Sequence, residues 1–446
     1  MSQQETVALP EVAPPVDRNL WLFGLMWFGQ LISGIGSGLT TFAMGVWVYQ
    51  QTGSAARFTF IALLSALPSL AMMPVAGALV DRWDKRWTMI LSNCASALCV
   101  LAMLLVALNG RLDIWHIYLC VLALSVSGTL QGLAYYPAIT LCVPKRLLGR
   151  VSGMTHASQA TTQIAAPMLG GLMIAAMGIQ TIFLVDFVTY LFGIVTLLIV
   201  RIPELAKREA GGGRSSLLKE ALYGWTYVRE RTSLLLLMLY FASTNFLLTM
   251  ALVLLAPMVL SFTTPQWLGT LNSVSGVGLL AGSLAMTTWG GPKDRVRGVL
   301  GFGLLVAASL ACIGLRPNPL LIAPALFALY FSIPLVNGSS QALWQCKTAP
   351  EVQGRVFALR RMVASSLAPV SFFLAGPLAD RWFEPLLAEG GGLSGSVGRV
   401  LGVGPGRGMA LVFVLAGCLT VIIQALAFRL PSLRLAESLL PDAIPD

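Results

Sequence analysis

Asp186 is the only acidic side chain well inside any of the long apolar runs of this 446-residue chain. A carboxylate at the centre of a helix in lipid costs about 2.5–3.5 kcal/mol, so a residue of this kind marks either a proton path or a buried structural hydrogen bond. It lies about six residues into its run, roughly 9 Å deep at about 1.5 Å per residue. Polar, uncharged side chains recur at helical spacing in four other runs: Gln30, Ser33, Ser37 and Thr41; Gln131 and Tyr135; Asn245 and Thr249; Asn337, Gln341 and Trp344. Amides and hydroxyls in lipid need partners, so each stripe faces another helix or a wet cavity. Both outcomes stay open for each residue. The stripes carry no charge and have Trp27 and Tyr136 beside them, which suits a neutral or amphipathic ligand better than a small ion. Other chemistry is poorly supplied. His116 and His156 sit near run ends, and the seven cysteines are single, without CxxC spacing, so no metal is expected. There is no phosphate-binding G-x-x-x-x-G-K-[ST] and no clustered nucleophile, so neither a cofactor nor an enzyme is expected.

The elements that hold these groups follow from composition. Only 11% of the residues are charged and 56% are hydrophobic, with a mean hydropathy of +0.78. A water-soluble domain carries roughly 25% charged residues, so most of this chain is solvated by lipid. About 20 apolar residues cross a hydrocarbon core about 30 Å thick. Twelve such runs are present, at 20–49, 58–80, 88–108, 114–142, 151–176, 180–200, 233–261, 267–288, 298–315, 319–346, 355–380 and 409–430. All are expected to be helical, because an open sheet edge leaves backbone groups unsatisfied in lipid. The fold class is therefore an all-α polytopic membrane protein with twelve transmembrane helices. Residues 1–18 are polar and carry Pro10, Pro14 and Pro15, and read as a disordered tail rather than a cleavable signal. Residues 19–201 and 233–430 are the expected six-helix bundles, 202–232 a cytoplasmic linker and 431–446 a cytoplasmic tail. In the linker Leu218, Leu222, Trp225 and Val228 share a face of a charged helix expected to lie in the membrane interface.

Lysine and arginine set the orientation. With the N-terminus inside, only Arg57, Arg111, Arg316, Arg381, Arg399 and Arg407 of the 29 fall outside, and the rest, Arg360 and Arg361 included, count as inside charges. That asymmetry places both termini in the cytoplasm. It also accounts for the net charge of +10 without a nucleic-acid partner. The two halves are related. Gly149-Arg150-Val151 and Gly354-Arg355-Val356 are offset by 205 residues, and the same offset carries Gly77 to Gly282 and Gly171 to Gly376. Matches at one offset across twelve runs read as a parallel internal repeat around a central cavity.

Residues 76–83 read AGALVDRW and continue into Asp84-Lys85-Arg86. Glycine permits close helix contact in lipid, and a carboxylate is favoured near a helix N-terminus. The plainer reading leaves Arg82, Lys85 and Arg86 as orientation charges. The stretch resembles the signature loop between helices two and three of the major facilitator superfamily, G-x-L-a-D-r-x-G-r-k, with Asp84 where that family has glycine. The likeness runs from about residue 18 to 430. It implies a latch on the cytoplasmic side of the two halves, with Gly77 at a helix contact, Asp81 facing a helix N-terminus, and Arg82 and Arg86 binding across. It also implies a cavity lined by helices one, four, seven and ten, which bear the polar stripes. Gly153, Thr162, Ala166, Pro167, Gly170 and Gly171 are similar to the antiporter motif of exporters in that superfamily, G-x8-G-x3-G-P-x2-G-G, with Thr162 and Ala166 replacing two glycines. Small residues at that spacing also give tight packing without any export role, and Pro167 bends the helix.

The segment from Pro144 to Arg150, Phe183-Leu184-Val185-Asp186 and the second Gly-Arg-Val together resemble the branch of macrolide-efflux and enterobactin-exporter-type proteins. This likeness implies secondary active efflux of an amphipathic molecule, in exchange for protons, across a bacterial-type cytoplasmic membrane. Asp186 is then the candidate proton carrier, and Gln30, Ser33, Ser37, Gln131, Tyr135, Asn245, Asn337, Gln341 and Trp344 are the candidate cavity residues. The implied partners are a small-molecule substrate, protons and the bilayer, with one chain as the functional unit. Gly128 stands where better-known multidrug branches carry an arginine, and the first helix lacks their acidic residue. Import, lysophospholipid flipping, or a receptor or assembly role on the same fold are the alternatives.

A second octapeptide, AGPLADRW at 375–382, is expected at the outer end of the eleventh helix. It precedes a glycine-rich stretch, 390–408, that reads as flexible. The two octapeptides lie 299 residues apart rather than 205, so the second is read as a look-alike, with Asp113 and Asp380 as rim charges and an outer gate as the alternative. The latch expectation has a direct check. Asp81→Ala should reduce transport to background while expression and membrane insertion stay at wild-type level, and full activity in that variant removes the assignment.

Overall fold

Helix is the only regular structure among the described residues of the computed structural model, which are 16–82, 84–142, 148–200, 225–292, 294–348, 353–434 and 437. The apolar runs take this form because a helix satisfies every backbone group within its own segment. In chain order the elements are α1 (Val16–Thr52), α2 (Ala55–Arg82), α3 (Lys85–Leu108), α4 (Ile114–Cys142) and α5 (Leu148–Ile199). There follow α6 (Thr232–Leu252), α7 (Leu255–Leu260), α8 (Pro265–Trp289), α9 (Arg295–Leu315) and α10 (Pro319–Lys347). The chain closes with α11 (Gln353–Ser366), α12 (Ala368–Pro377), a π-helical turn (Leu378–Phe383), α13 (Glu384–Leu387), α14 (Val397–Leu401), α15 (Arg407–Arg429) and α16 (Pro431–Arg434). Eleven helical stretches among the described residues are long and apolar enough to cross a membrane. One of these, in α5, covers two of the apolar runs of the sequence. Gly178 (φ 78, ψ 174) interrupts its helical backbone between them, a conformation that an L side chain rarely adopts.

Local chemistry sets the other boundaries. Asp84, the departure from the superfamily loop, is the N-cap of α3, its carboxylate accepting from the Trp87 amide at 2.9 Å. Asp294 does the same for α9 through the Arg297 amide at 2.9 Å. Asn318 caps α10, which has proline at its first position, where the missing amide hydrogen is no loss. The faces that look outward are apolar: Leu98, Leu284, Leu320 and Phe373 are each more than 60% exposed. Apolar surface on that scale belongs against lipid. In the linker, Leu218 and Leu222 lie outside the described residues; Trp225 is exposed and Val228 buried at the start of the part that is described.

α1 to α5 pack on one another, around Met44, Val48, Ile117 and Ile182. The helices from α6 onward form a second group, with Leu237, Val299 and Trp344 in one core and Leu271, Leu326 and Phe413 in another. The groups meet where α5 packs on α8 and where α2 packs on α12. Among the described residues, the hydrogen bonds and close backbone approaches that join them lie toward the end where α1 turns into α2. Val46, Tyr49 and Ala55 of the first group belong there to the same apolar cluster as Leu254, Met258 and Leu271 of the second.

The glycine-rich stretch departs from its expected slackness. Leu393, Val397 and Leu401 pack with Leu387 and Leu411. A Cβ on Gly408 would lie 2.2 Å from the Glu384 amide nitrogen, and Gly390, Gly402, Gly404 and Gly406 all have positive φ. These glycines serve tight turns and close approach, so composition alone misjudged them.

Candidate substrate cavity

A cavity of about 870 Å³ lies within the first group of helices. α1 contributes Gln30, Ser33 and Ser37, and α4 contributes Gln131 and Tyr135. With Thr41, which also lines the cavity, these are the six residues of the first-half stripes, and a shared helical face on each helix brings them to the cavity wall. Gln131 donates through Nε2 to Gln30 Oε1, which ties α4 to α1. The Ser37 and Tyr190 hydroxyls are hydrogen-bonded at 2.9 Å, and Trp27 Nε1 donates to the Met154 carbonyl at 3.1 Å. The bland and the functional readings of these side chains therefore hold together: they bond across helices and also line a cavity. Among the described residues, no charged one lines this space. Sequence periodicity missed Thr155, Ser158, Gln159, Thr162 and Gln163 of α5, which complete the wall. A stripe at helical spacing was there to be read, hidden under the glycine motif of the same helix.

A second cavity, about 330 Å³, lies in the other group. Asn245, Asn337, Gln341 and Trp344 all line it, as do Phe241 and Arg360. Arg360, one of the expected inside charges, thus also faces a cavity, which the count of charges does not show. Its guanidinium donates to Gln341 Oε1 and to Ser340 Oγ, both at 3.0 Å. Gln341 thus holds an arginine as well as facing the cavity.

Asp186 is fully buried and lines neither cavity. It sits where α5 crosses α1 so closely that a Cβ on Gly36 would lie 2.8 Å from Asp186 Oδ1. Thr189 donates to the Asp186 backbone carbonyl at 2.8 Å, and Asp186 Oδ2 has no hydrogen-bond partner. Among the described residues no cation lies within ion-pair distance of it.

The residues of the expected latch are only partly described. The backbones of Gly77, Asp81 and Arg82 belong to α2, and their side chains lie outside the described residues. Arg86 donates through Nε to the Leu197 carbonyl at 2.9 Å and through its guanidinium to the Leu198 carbonyl. It was expected to bind across the interface. In this conformation it instead caps the last turn of α5 within its own half, where free carbonyls favour a cation.

The helix-five motif lies on the contact between the groups. A Cβ on Gly171 would lie 2.6 Å from the Pro265 carbonyl oxygen, and one on Gly269 would lie 2.3 Å from the Pro167 carbonyl oxygen. Ser273 donates to the Ile164 carbonyl at 2.9 Å across the same seam. Gly170 instead faces Phe42 of α1, and the surroundings of Gly153 lie outside the described residues. Gly376, one repeat offset from Gly171, occupies the matching seam, where a Cβ would lie 2.4 Å from Ala56 Cα.

The second octapeptide is a working joint, against its reading as a look-alike. Asp380 accepts from the Ala55 amide at 3.1 Å, the Ala56 amide at 2.9 Å and the Ser54 hydroxyl at 2.7 Å. It therefore caps the N-terminus of α2 from the opposite group, filling orphan donors that helix geometry leaves there. No local signal marks this, because donor and acceptor are 326 residues apart for Ser54. Asp113, also read as a rim charge, has a local role, accepting from the Ile114 amide at 3.2 Å.

Comparison with known proteins places this geometry in context. A family model described as Major Facilitator Superfamily matches residues 26–370. Macrolide efflux protein A of Streptococcus pyogenes is 27% identical over 372 residues, covering 81% of this chain and 91% of that protein. Multidrug efflux pump Tap of Mycolicibacterium fortuitum is 27% identical over 382 residues, covering 80% and 88%. Among solved structures, a bacterial homolog of the human lysosomal transporter Spinster, inward-facing and unoccupied, aligns with a TM-score of 0.69 at 13% identity, covering 96% of this chain and 98% of that one. The nucleoside transporter NupG aligns with a TM-score of 0.65 at 13% identity, covering 91% and 98%. At those identities the structures speak to the fold alone.

The Asp380 cap makes a measurable demand. Losing a helix cap costs about 1 kcal/mol, so Asp380→Ala should shift the closed-to-open ratio at this end roughly five-fold toward open. Pulsed electron resonance between spin labels at Arg111 and Arg316, in a cysteine-free background, reads that ratio. An unchanged distance distribution would mean that the cap adds nothing to closure.

Proposed function

The chain belongs to the Major Facilitator Superfamily, and on that premise we propose that it is a secondary active exporter of amphipathic small molecules working by alternating access. The observation that carries this reading is the cavity of about 870 Å³, whose described lining is amides, hydroxyls, aromatic rings and aliphatic side chains, with no charged residue among them. Sites that take drug-sized ligands are largely apolar, with a few placed polar groups. The efflux names of the two relatives support outward direction. Counting the segments on either side of Gly178 separately gives twelve crossings, in two six-helix bundles with cytoplasmic termini. On that topology the α1–α2 end faces out, and the seams there close the outer side. The protein then rests with its cavity toward the cytoplasm. Gly77, Asp81, Arg82 and Arg86 form the opposing latch, made when the inner side closes.

Protons are the proposed coupling ion, with Asp186 as carrier. Two observations support it: the carboxylate is buried without a cationic partner, and it lies one helical turn from Tyr190, whose hydroxyl bonds Ser37 in the cavity wall. Proton binding there would alter the packing of α5 on Gly36 of α1, a contact with no spare room.

Inverted membrane vesicles test the reading. They should accumulate substrate when a pH gradient is imposed and stop when an ionophore collapses it. Accumulation indifferent to the gradient removes the antiport claim, and none under any gradient removes efflux itself. Asp186→Asn should abolish the dependence on the gradient while substrate binding stays within about two-fold, a change too small to signal a lost buried hydrogen bond. Unaltered coupling in that variant reduces Asp186 to a structural group.

A further inference from the structure

The two cavities differ in one respect that the efflux reading leaves unused. Among the described residues lining either one, Arg360 alone is charged. It projects from α11 into a wall that also holds Phe241, Trp344, the amides of Asn245, Asn337 and Gln341, and the apolar Met238, Phe357 and Ala364. Among the described residues it has no carboxylate within ion-pair distance.

The guanidinium is nonetheless held in place. Gln341 Oε1 and Ser340 Oγ each accept from it at 3.0 Å, and its central carbon lies 5.4 Å from the Trp344 ring centre and 5.7 Å from that of Phe241. Those two acceptors use only part of a fork that offers five N–H donors. A further donor in the same wall is idle: Trp344 is fully buried and its Nε1 has no hydrogen-bond partner. A fixed, uncompensated cation among aromatic rings and spare donors is a site made for an acceptor-rich anion. Low polarity around it strengthens that attraction relative to water. The planar fork matches a carboxylate bidentately, in a way that a point charge does not.

We propose that Arg360 makes the smaller cavity an anion-recognising subsite, and that the molecules this protein handles are amphipathic carboxylates. The apolar body lies along the aromatic and uncharged surfaces, and the carboxylate seats on Arg360 beside Trp344. The proposal rests on the cavities being the substrate site, as the efflux reading holds. Its test is a binding measurement, so it succeeds or fails whether or not the protein pumps.

Full-length protein in nanodiscs of phosphatidylcholine should be titrated with two matched pairs: radiolabelled cholate and its uncharged methyl ester, and dansyl-leucine and its methyl ester. Wild type should prefer at least one acid over its ester by about ten-fold or more, the scale of a charge-assisted hydrogen bond. Arg360→Gln should erase that preference while ester binding stays within about two-fold, and Arg360→Lys should keep part of it, since charge survives and the fork does not. Thermal unfolding and size-exclusion profiles matching wild type keep misfolding out of the comparison. A merely structural arginine would weaken acid and ester alike, and would overturn the proposal. Absence of any acid preference in both pairs overturns it equally. So does loss of acid binding when the nanodiscs contain phosphatidylglycerol, which would assign the guanidinium to a lipid headgroup.

Discussion

Lipid takes away the force that joins the parts of a soluble protein, because a bare apolar helix is as well solvated by acyl chains as by another helix. Closure between the halves therefore depends on contacts that lipid cannot replace. At the α1–α2 end these are backbone approaches at Gly171, Gly269 and Gly376, together with the hydrogen bonds that Asp380 accepts from the start of α2 and that Ser273 donates to α5. A single added Cβ at any of those glycines would meet backbone atoms. Such contacts form fully or hardly at all, which is the behaviour wanted of a joint between two states. Gly171 and Gly376, 205 residues apart, occupy both seams, so one kind of contact is used twice.

Away from that joint, the cavities are lined by side chains with unspent hydrogen-bonding capacity. The first-half wall spends much of it internally, as Gln131 with Gln30 and Ser37 with Tyr190. The second-half wall concentrates it on Arg360 and Trp344. On the proposed reading, an amphipathic ligand would meet a permissive surface on one side and a directional one on the other. Broad uptake and a chemical preference are compatible in such a site, because apolar contact discriminates weakly and a fixed charge discriminates strongly.

Much of this was legible in the chain. Helical periodicity gave the polar stripes and the family resemblance pointed them at a cavity; Gln30, Ser33, Ser37, Thr41, Gln131, Tyr135, Asn245, Asn337, Gln341 and Trp344 line cavity walls, and Thr249 of the same stripes does not. Periodicity works there because a stripe on a helix has only one face to occupy. The inferences that went astray or fell short rested on rules that ignore partners. Counting arginines by side of the membrane said nothing of the cavity that Arg360 faces from α11. Matching octapeptides by offset dismissed Asp380, whose partner is the start of α2. Glycine content at 390–408 read as slack, whereas most of those glycines admit close backbone contact or positive φ.

Sequence by itself determined that the chain is helical and lives in a bilayer, which residues share a helix face, and which superfamily it belongs to. Those properties follow from composition, from the 3.6-residue period and from motifs a few residues long, all of them local. Only the tertiary structure decided where the described residues of the two groups join, that Asp186 is buried against α1 and lines neither cavity, and that Arg360 faces one. Each of these depends on how closely two helices distant in sequence approach one another. That distance is set by packing across the whole bundle, which no local pattern encodes.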